Sequence, residues 1–203
     1  MITQLRRFTD RLGRWRTVAV LAVPTLLLMG VFNFHPAAVP YLQKAGNGVP
    51  PLDIQLGYGP RDVDSLFSNY GVEGRQRYAL FLLADLAFAA CYGLLLAGLL
   101  RLALRPPVAT VNSRWNDLCV LPLLAACGDI VENLSILGLL AVYPSLPAML
   151  VYLASVATII KWSAAAIGIA AILIAFGARL ALLNGRAGVQ KSLDGGHEHD
   201  SAG

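Results

Sequence analysis

Residues 118–143 read LCVLPLLAACGDIVENLSILGLLAVY, an apolar stretch interrupted by Asp129, Glu132 and Asn133. A helix of about 20 residues crosses the hydrocarbon core of a bilayer, so this stretch is long enough to span a membrane. An ionised side chain at such depth costs on the order of 3 kcal/mol even on the mildest scales. Side chains of this kind usually face a partner, a cavity or a functional site. These three residues are therefore the first candidates for such a site.

The composition of the whole chain indicates lipid as its main solvent. Of the 203 residues, 57% are hydrophobic and 14% are charged, whereas soluble chains contain about 25% charged residues. The basic residues lie beside apolar stretches rather than in a strip shared with aromatic side chains, so no nucleic-acid partner is predicted. The three cysteines form no CxxC pair, and neither a cofactor nor a metal site is predicted.

Hydropathy predicts an all-α fold, a transmembrane bundle of four helices in a single domain over residues 1–183. The predicted spans are residues 17–35, 78–104, 118–143 and 148–183, with an external loop over 36–77 and a disordered cytoplasmic tail over 184–203. In the loop, Val63, Leu66, Phe67 and Tyr70 follow helical spacing and predict a short amphipathic helix. The first apolar stretch exceeds the usual signal-peptide core of about 7–15 residues, which favours an uncleaved first helix.

The distribution of lysine and arginine predicts the orientation of the bundle. One side carries Arg6, Arg7, Arg11, Arg14, Arg16, Arg101, Arg105, Arg114, Arg179, Arg186 and Lys191, and the other carries Lys44, Arg61, Arg75 and Arg77 over a longer loop. Because short cytoplasmic segments are enriched in basic residues, both termini are predicted to be cytoplasmic. We therefore expect a multi-pass protein of the cell's inner (plasma) membrane.

Helical geometry predicts that the polar positions of three spans face one another. At about 100° per residue, Asp129, Glu132 and Asn133 share one arc of the third span. In the second span Tyr78, Asp85 and Tyr92 form a stripe, and in the fourth Lys161 lies on a face of small residues. A rise of 1.5 Å per residue puts Lys161 level with Asp129 and Glu132, with Asp85 nearer the outer end. The short turn between the last two spans predicts a contact of Lys161 with Asp129 or Glu132.

This arrangement predicts an acid–base or proton/cation site formed by Glu132, Asp129 and Lys161. The predicted substrate-binding residues are Asp85, Asn133, Arg75, Tyr78, Tyr92, Trp162 and Thr158. Three carboxyl groups facing one ammonium should leave at least one carboxyl protonated near neutrality. Alternatively, Arg75 reaches down from the rim, or a cation or a water chain fills the site. A structural clasp between helices is a further interpretation of the same residues.

A set of positions between residues 52 and 162 carries a family resemblance. They are Leu52-Asp53, Gly57-Tyr58, Gly71, Gly74-Arg75, Tyr78, Asp85, Pro122, Asp129, Glu132-Asn133, Tyr143-Pro144, Thr158 and Lys161-Trp162. In these positions the chain resembles a group of small bacterial four-span membrane proteins without an assigned activity. The resemblance implies a compact membrane bundle and transfers no catalytic role. The sequence contains none of the GxGxxG, GxxxxGK[ST] or HExxH motifs.

Three classes of function fit these observations. The first is proton- or cation-coupled handling of a small solute, and the second is a membrane-embedded enzyme that uses acid–base chemistry on a lipid-soluble substrate. The third is a structural or accessory membrane subunit. A single four-helix chain without an internal repeat is small for alternating access, so transport favours a homodimer. The expected partners are therefore membrane lipid, a small solute or lipid-soluble substrate, and a second copy of the chain.

Overall fold

The computed structural model describes residues 2–105, 108 and 117–199, and these residues contain helices and connections but no strand. The elements are α1 (Ile2–Leu12), α2 (Trp15–Phe34), α3 (Val39–Ala45), a 3₁₀ turn (Leu52–Ile54), α4 (Pro60–Ala103), α5 (Val120–Val142) and α6 (Ala148–His199). In the described chain, four segments are long and apolar enough to cross a membrane: Trp15–Ala45, Pro60–Ala103, Asp117–Val142 and Ala148–Gly185. The predicted all-α bundle of four spans is confirmed, and the fold defines a multi-pass membrane protein.

The amphipathic helix predicted in the loop exists, and it is continuous with the second span. Both belong to α4, whose backbone breaks at Gly71 with a φ of 60°. This left-handed conformation is accessible to glycine at little cost, so the chain changes direction there without losing the second helical part. The four apolar residues predicted to share a face of this helix are all buried: Val63, Leu66, Phe67 and Tyr70.

Both ends of the described chain are helical. A separate helix, α1, precedes the first span, although the basic N-terminal segment was predicted only as an orientation signal. At the other end, α6 continues to His199 and so includes most of the segment predicted as a disordered tail. Residues 200–203 and Arg114 lie outside the described residues, and the division into a bundle and a tail stays a prediction.

Helix α5 packs closely on both α4 and α6, because glycines let these helices approach one another. A Cβ atom added at Gly93 of α4 would clash with the Cβ of Ala126 on α5. A Cβ atom added at Gly128 of α5 would lie 3.2 Å from the carbonyl oxygen of Ala157 on α6. Small residues allow this kind of packing between membrane helices. The approach at Gly128 places Asp129 directly beside the backbone of α6.

The two ends of the bundle differ in chemistry. We call one the loop end, where aromatic residues pack together, including Phe32, Phe67, Tyr70, Tyr78 and Phe81. We call the other the basic end, which carries Arg14, Arg16, Arg101, Arg105 and Arg179. At the basic end α1 packs on α4, and Asp10 pairs with Arg101. Arg179 donates to the carbonyl of Leu102 at 3.2 Å, which ties α6 to the end of α4.

One part of the loop enters the bundle, which the sequence did not predict. We call residues 51–59 the plug segment. The amide of Tyr58 donates to Ser155 Oγ at 3.0 Å, and Lys161 Nζ donates to the carbonyl of Asp53 at 2.8 Å. Along α6, Ser155 and Lys161 lie about 10 Å and 20 Å from Ala148, at 1.5 Å per residue. The plug segment is therefore non-helical backbone, apart from its 3₁₀ turn, placed well inside the loop end.

Candidate functional site

The buried charged side chains of the described chain belong to one group, which we call the acid cluster. Its members are Asp53, Asp85, Asp129, Glu132 and Lys161. The three members that form ion pairs, Asp129, Glu132 and Lys161, have side chains that are at most 8% exposed. Helix α4 contributes Asp85, α5 contributes Asp129 and Glu132, α6 contributes Lys161, and the plug segment contributes Asp53. Four separate parts of the chain thus meet at one buried site.

Lys161 is the centre of the acid cluster. Its Nζ lies 2.6 Å from Glu132 Oε2 and 3.3 Å from Asp129 Oδ1, and it donates to the Asp53 carbonyl at 2.8 Å. The contact with Glu132 Oε2 is short but does not have hydrogen-bond geometry, so we describe it as an ion pair. The predicted contact between Lys161 and the acids of α5 is therefore present in the structure.

Asn133 joins the acid of α4 to the acids of α5. Its Nδ2 donates to Asp85 Oδ2 at 2.8 Å and lies 3.4 Å from Asp129 Oδ1. The residue is fully buried, and its Oδ1 has no hydrogen-bond partner among the described residues. An amide can donate to two carboxyl groups at once, so Asn133 reduces the repulsion between Asp85 and Asp129.

Hydroxyl groups surround the remaining carboxyl oxygens. Thr158 Oγ1 donates to Glu132 Oε1 at 2.5 Å and lies 3.4 Å from the hydroxyl of Tyr58. The Tyr78 hydroxyl donates to Asp53 Oδ1 at 2.8 Å. Tyr92 interacts with Asp129 through its side chain. Of the residues predicted to bind substrate, Tyr78, Tyr92, Thr158, Asn133 and Asp85 thus lie at the acid cluster.

The structure places two of the predicted site residues outside the acid cluster. Arg75 donates to the carbonyl of Phe67 at 2.9 Å, and its guanidinium lies 4.6 Å from the centre of the Tyr143 ring. It therefore fastens the helical part before Gly71 to the end of α5 and does not reach down to the acids. Trp162 is 41% exposed on the outer face of α6, which is how an aromatic residue facing lipid would be placed. Its ring lies 5.5 Å from Lys161 Nζ.

The charges of the acid cluster do not balance. If all of its groups were ionised, four carboxylates and one ammonium would give −3. Within the described residues, Lys161 is the only cationic side chain in contact with these acids. Removing an ion from water costs several kcal/mol, and like charges at short range add to this cost. The acid cluster is therefore stable near neutrality only when some of its carboxyl groups hold protons or when a cation joins it.

Asp53 is the member of the acid cluster that the sequence-based reasoning did not select. It lies outside the four spans, and burial raises the pKa of its carboxyl above the ordinary value of 3.8, although nearby Lys161 acts in the opposite direction. The only local signal was an acid between two apolar residues, Leu52 and Ile54. This pattern is also common on exposed turns, so the signal was insufficient without the insertion of the plug segment.

Two clefts among the described residues lie outside the acid cluster. In the structure an apolar cleft of about 340 Å³ lies near the basic end, lined by Leu100, Leu118, Ile167, Ala170, Ala171 and Ile174. A smaller cleft of about 120 Å³ lies among loop residues that include Gln55 and Asp62. Neither cleft contains a member of the acid cluster. The plug segment packs against the acid cluster and makes direct contacts with it.

Fold and site together define a multi-pass membrane protein with a buried acid cluster. No family model, no curated protein and no solved structure matches this chain. In the described residues, no three His, Cys, Asp or Glu side chains are arranged to hold a metal ion. Function must therefore be argued from the geometry of the acid cluster itself.

Proposed function

We propose that this membrane protein binds and releases protons at the acid cluster and couples this to the handling of a small solute. The observation that carries the proposal is the surplus of carboxyl groups, four acids around the single ammonium of Lys161. Carboxyl groups in such a setting change protonation at accessible pH values, which makes them suitable for proton transfer. Glu132, Asp129 and Lys161 form the centre of the site, whereas the carboxyl groups of Asp85 and Asp53 accept hydrogen bonds from Asn133 and Tyr78.

The plug segment supports a transport function. Irregular backbone at membrane depth is tolerated where it is buried in protein or lines a water-filled path, because lipid cannot satisfy its polar groups. In transporters, such non-helical backbone often lies beside the binding site. Here the Asp53 carbonyl and the Tyr58 amide are satisfied by side chains of α6, Lys161 and Ser155. The plug segment and the acid cluster thus combine backbone polar groups with charged side chains, as the binding sites of transporters do.

The proposal includes a location and a set of partners. We place the chain in the inner (plasma) membrane with the basic end and both termini in the cytoplasm, because basic residues are concentrated there. The partners are membrane lipid, a small solute and a second copy of the chain, since four helices are few for alternating access. We also propose that the chain belongs to the group of small bacterial four-span membrane proteins that it resembles.

Proton flux through purified protein tests the proposed function. In proteoliposomes with an imposed pH gradient and a pH-sensitive dye, wild type should dissipate the gradient, and Glu132→Gln should lose most of this activity. Glu73→Gln is the matched control, because Glu73 is 71% exposed and pairs with neighbouring Arg77 at 2.9 Å. The control should behave like wild type. Equal dissipation by wild type and Glu132→Gln, or no dissipation by wild type, would contradict the proposal.

One observation favours a second candidate, a structural subunit whose acid cluster only fastens the bundle. The ammonium of Lys161 is surrounded by Asp53, Asp129 and Glu132, a complete set of partners. A clasp of this kind joins α5, α6 and the plug segment without any need for turnover. The two candidates differ in the flux experiment, since a clasp predicts no dissipation of the pH gradient by any variant.

A further inference from the structure

The plug segment separates the acid cluster from the loop end. Leu52, Asp53 and Tyr58 are buried against the bundle, whereas Leu56 between them is 76% exposed. Leu52 and Tyr58 pack in the apolar core of the loop end. The plug segment also makes three polar contacts with α6 and α4: Lys161 with the Asp53 carbonyl, Ser155 with the Tyr58 amide, and Tyr78 with the Asp53 carboxyl. The three polar contacts can be exchanged for contacts with water when the plug segment moves.

The ends of the plug segment are suited to movement. Before it lies the turn at Asn47 and Gly48, both with positive φ, and its last residue, Gly59, directly precedes α4. The Gly59 amide donates to Asp62 Oδ2 at 2.7 Å, which fixes this end of the plug segment to the first turn of α4. The segment can therefore pivot between two defined points while α4 stays in place.

Resting on the proton-handling function proposed above, we propose that the plug segment is the loop-end gate of the acid cluster and that the protonation of Asp53 controls it. When Asp53 is protonated, it lies in the closed position without adding a negative charge to the acid cluster. When Asp53 loses its proton, it adds a further carboxylate to the acid cluster, whose one ammonium is that of Lys161. The added negative charge destabilises the closed position. Moving the plug segment out returns that carboxylate to water.

Several groups face Asp53 and contribute to this balance. From α4 they are Tyr70, Tyr78 and Asp85, from α5 Asp129 and Glu132, from α6 Lys161, and from the plug segment itself Tyr58. Lys161 favours the ionised form of Asp53, while burial and Asp129 disfavour it. The net result is that burial raises the pKa of Asp53 above 3.8 in the closed position.

The direction of the pH effect follows from this shift. The closed position holds the proton more tightly than the open position, in which Asp53 is exposed and has an ordinary pKa near 3.8. Low pH therefore favours the closed gate, and rising pH opens it. Between the two pKa values, the ratio of open to closed gate should rise about tenfold per pH unit. Above the higher pKa the ratio should level off.

Amide hydrogen exchange of the full chain in lipid nanodiscs tests the gate directly. The protection factor of residues 51–59, which divides out the intrinsic pH dependence of exchange, should fall with rising pH and reach a plateau in wild type. Asp53→Asn keeps an acceptor for Tyr78 and cannot ionise, so its protection should stay high across the same range. Asp64→Asn, at an exposed position, is the control and should follow wild type. A pH-independent protection factor in wild type, or an unchanged pH dependence in Asp53→Asn, would overturn the proposal.

A second variant separates failure of the gate from failure of the proposed function. Glu132→Gln tests proton flux, and it should leave a pH dependence in the exchange of residues 51–59. If neither wild type nor any variant carries flux while the plug segment still responds to pH through Asp53, the proton-handling function fails and the gate stands.

If Asp53→Asn cannot be purified in folded form, labelling of Ser155→Cys by a membrane-impermeant thiol reagent replaces it. This thiol lies under the plug segment and should react faster as pH rises, relative to a free thiol; a constant ratio would overturn the gate.

Discussion

Lys161 shows how one side chain can determine whether a membrane site is stable. Its ammonium lies between Glu132, Asp129 and the carbonyl of Asp53. Removing one partner of a buried ion pair leaves an uncompensated charge, which usually destabilises more than the pair itself stabilises. Loss of the Lys161 ammonium alone should therefore lower the stability of the protein strongly. Loss of the ammonium together with the Glu132 carboxylate should lower it less.

Lys161→Met should lower the free energy of unfolding by about 3–5 kcal/mol, because Glu132 and Asp129 lose their buried counter-charge. The double variant Lys161→Met with Glu132→Leu should recover part of this loss, since it removes one of the two stranded acids. Thermal unfolding in detergent, followed by circular dichroism, measures both effects. Lys44→Met, at an exposed position, is the control. A Lys161→Met protein as stable as wild type would show that the ammonium does not hold the acid cluster together.

The helices bring the acid cluster together through the glycines on α4 and α5. Gly93 lets α4 approach Ala126, and Gly128 lets α5 approach the backbone of α6 next to Lys161. Both contacts lie within about one turn of Asp129 or of the residues that bond to it. Packing of small residues, rather than attraction between the charges alone, therefore sets the distances in the acid cluster.

A larger side chain at Gly128 should disturb this packing. Its Cβ would lie 3.2 Å from both Ala157 O and Lys161 N, so Gly128→Val must push α6 away and should cost about 1–3 kcal/mol of stability. Gly177→Val is the matched control, because a Cβ at Gly177 meets nothing within 4 Å. Thermal unfolding of the two variants in the same detergent makes the comparison. Equal loss of stability in both variants would argue that helix propensity, not helix approach, explains the effect.

The sequence predicted more of the helices than of their connections. Long apolar stretches and regular spacing gave the four spans, the buried face of Val63, Leu66 and Phe67, and the contact between Lys161 and the acids of α5, because these depend on local periodicity. The insertion of the plug segment depends on contacts of Asp53 and Tyr58 with residues about 100 positions away along the chain. Such long-range pairs leave no pattern in a single sequence. The contacts of Arg75 were not predicted for a similar reason, since its partner is the carbonyl of Phe67, one turn before the break at Gly71.

The topology of the whole molecule follows from the even number of spans. With four crossings, both ends of the bundle chain emerge on one side, and α1 packs at that end against α4. The loop end carries acidic as well as basic residues, including Asp62, Asp64 and Glu73 beside Arg61 and Arg77. The basic end is dominated by arginine. Since basic residues near spans are retained in the cytoplasm, this asymmetry predicts that the basic end faces the cytoplasm.

Reporter fusions should show the basic end in the cytoplasm. A fluorescent protein that folds only in the cytoplasm should be bright when fused after residue 203, and a phosphatase that is active only outside should be active when inserted between Asn47 and Gly48, in a turn with positive φ. Exchanging Arg14 and Arg16 for glutamate should weaken the preference, because both side chains are exposed beside the first span. Exchanging Arg61 and Arg77 in the same way, on the loop end, should leave it unchanged. A dark C-terminal fusion together with an inactive loop insertion would mean that the plug segment faces the cytoplasm, and the gate would then respond to cytoplasmic rather than external pH.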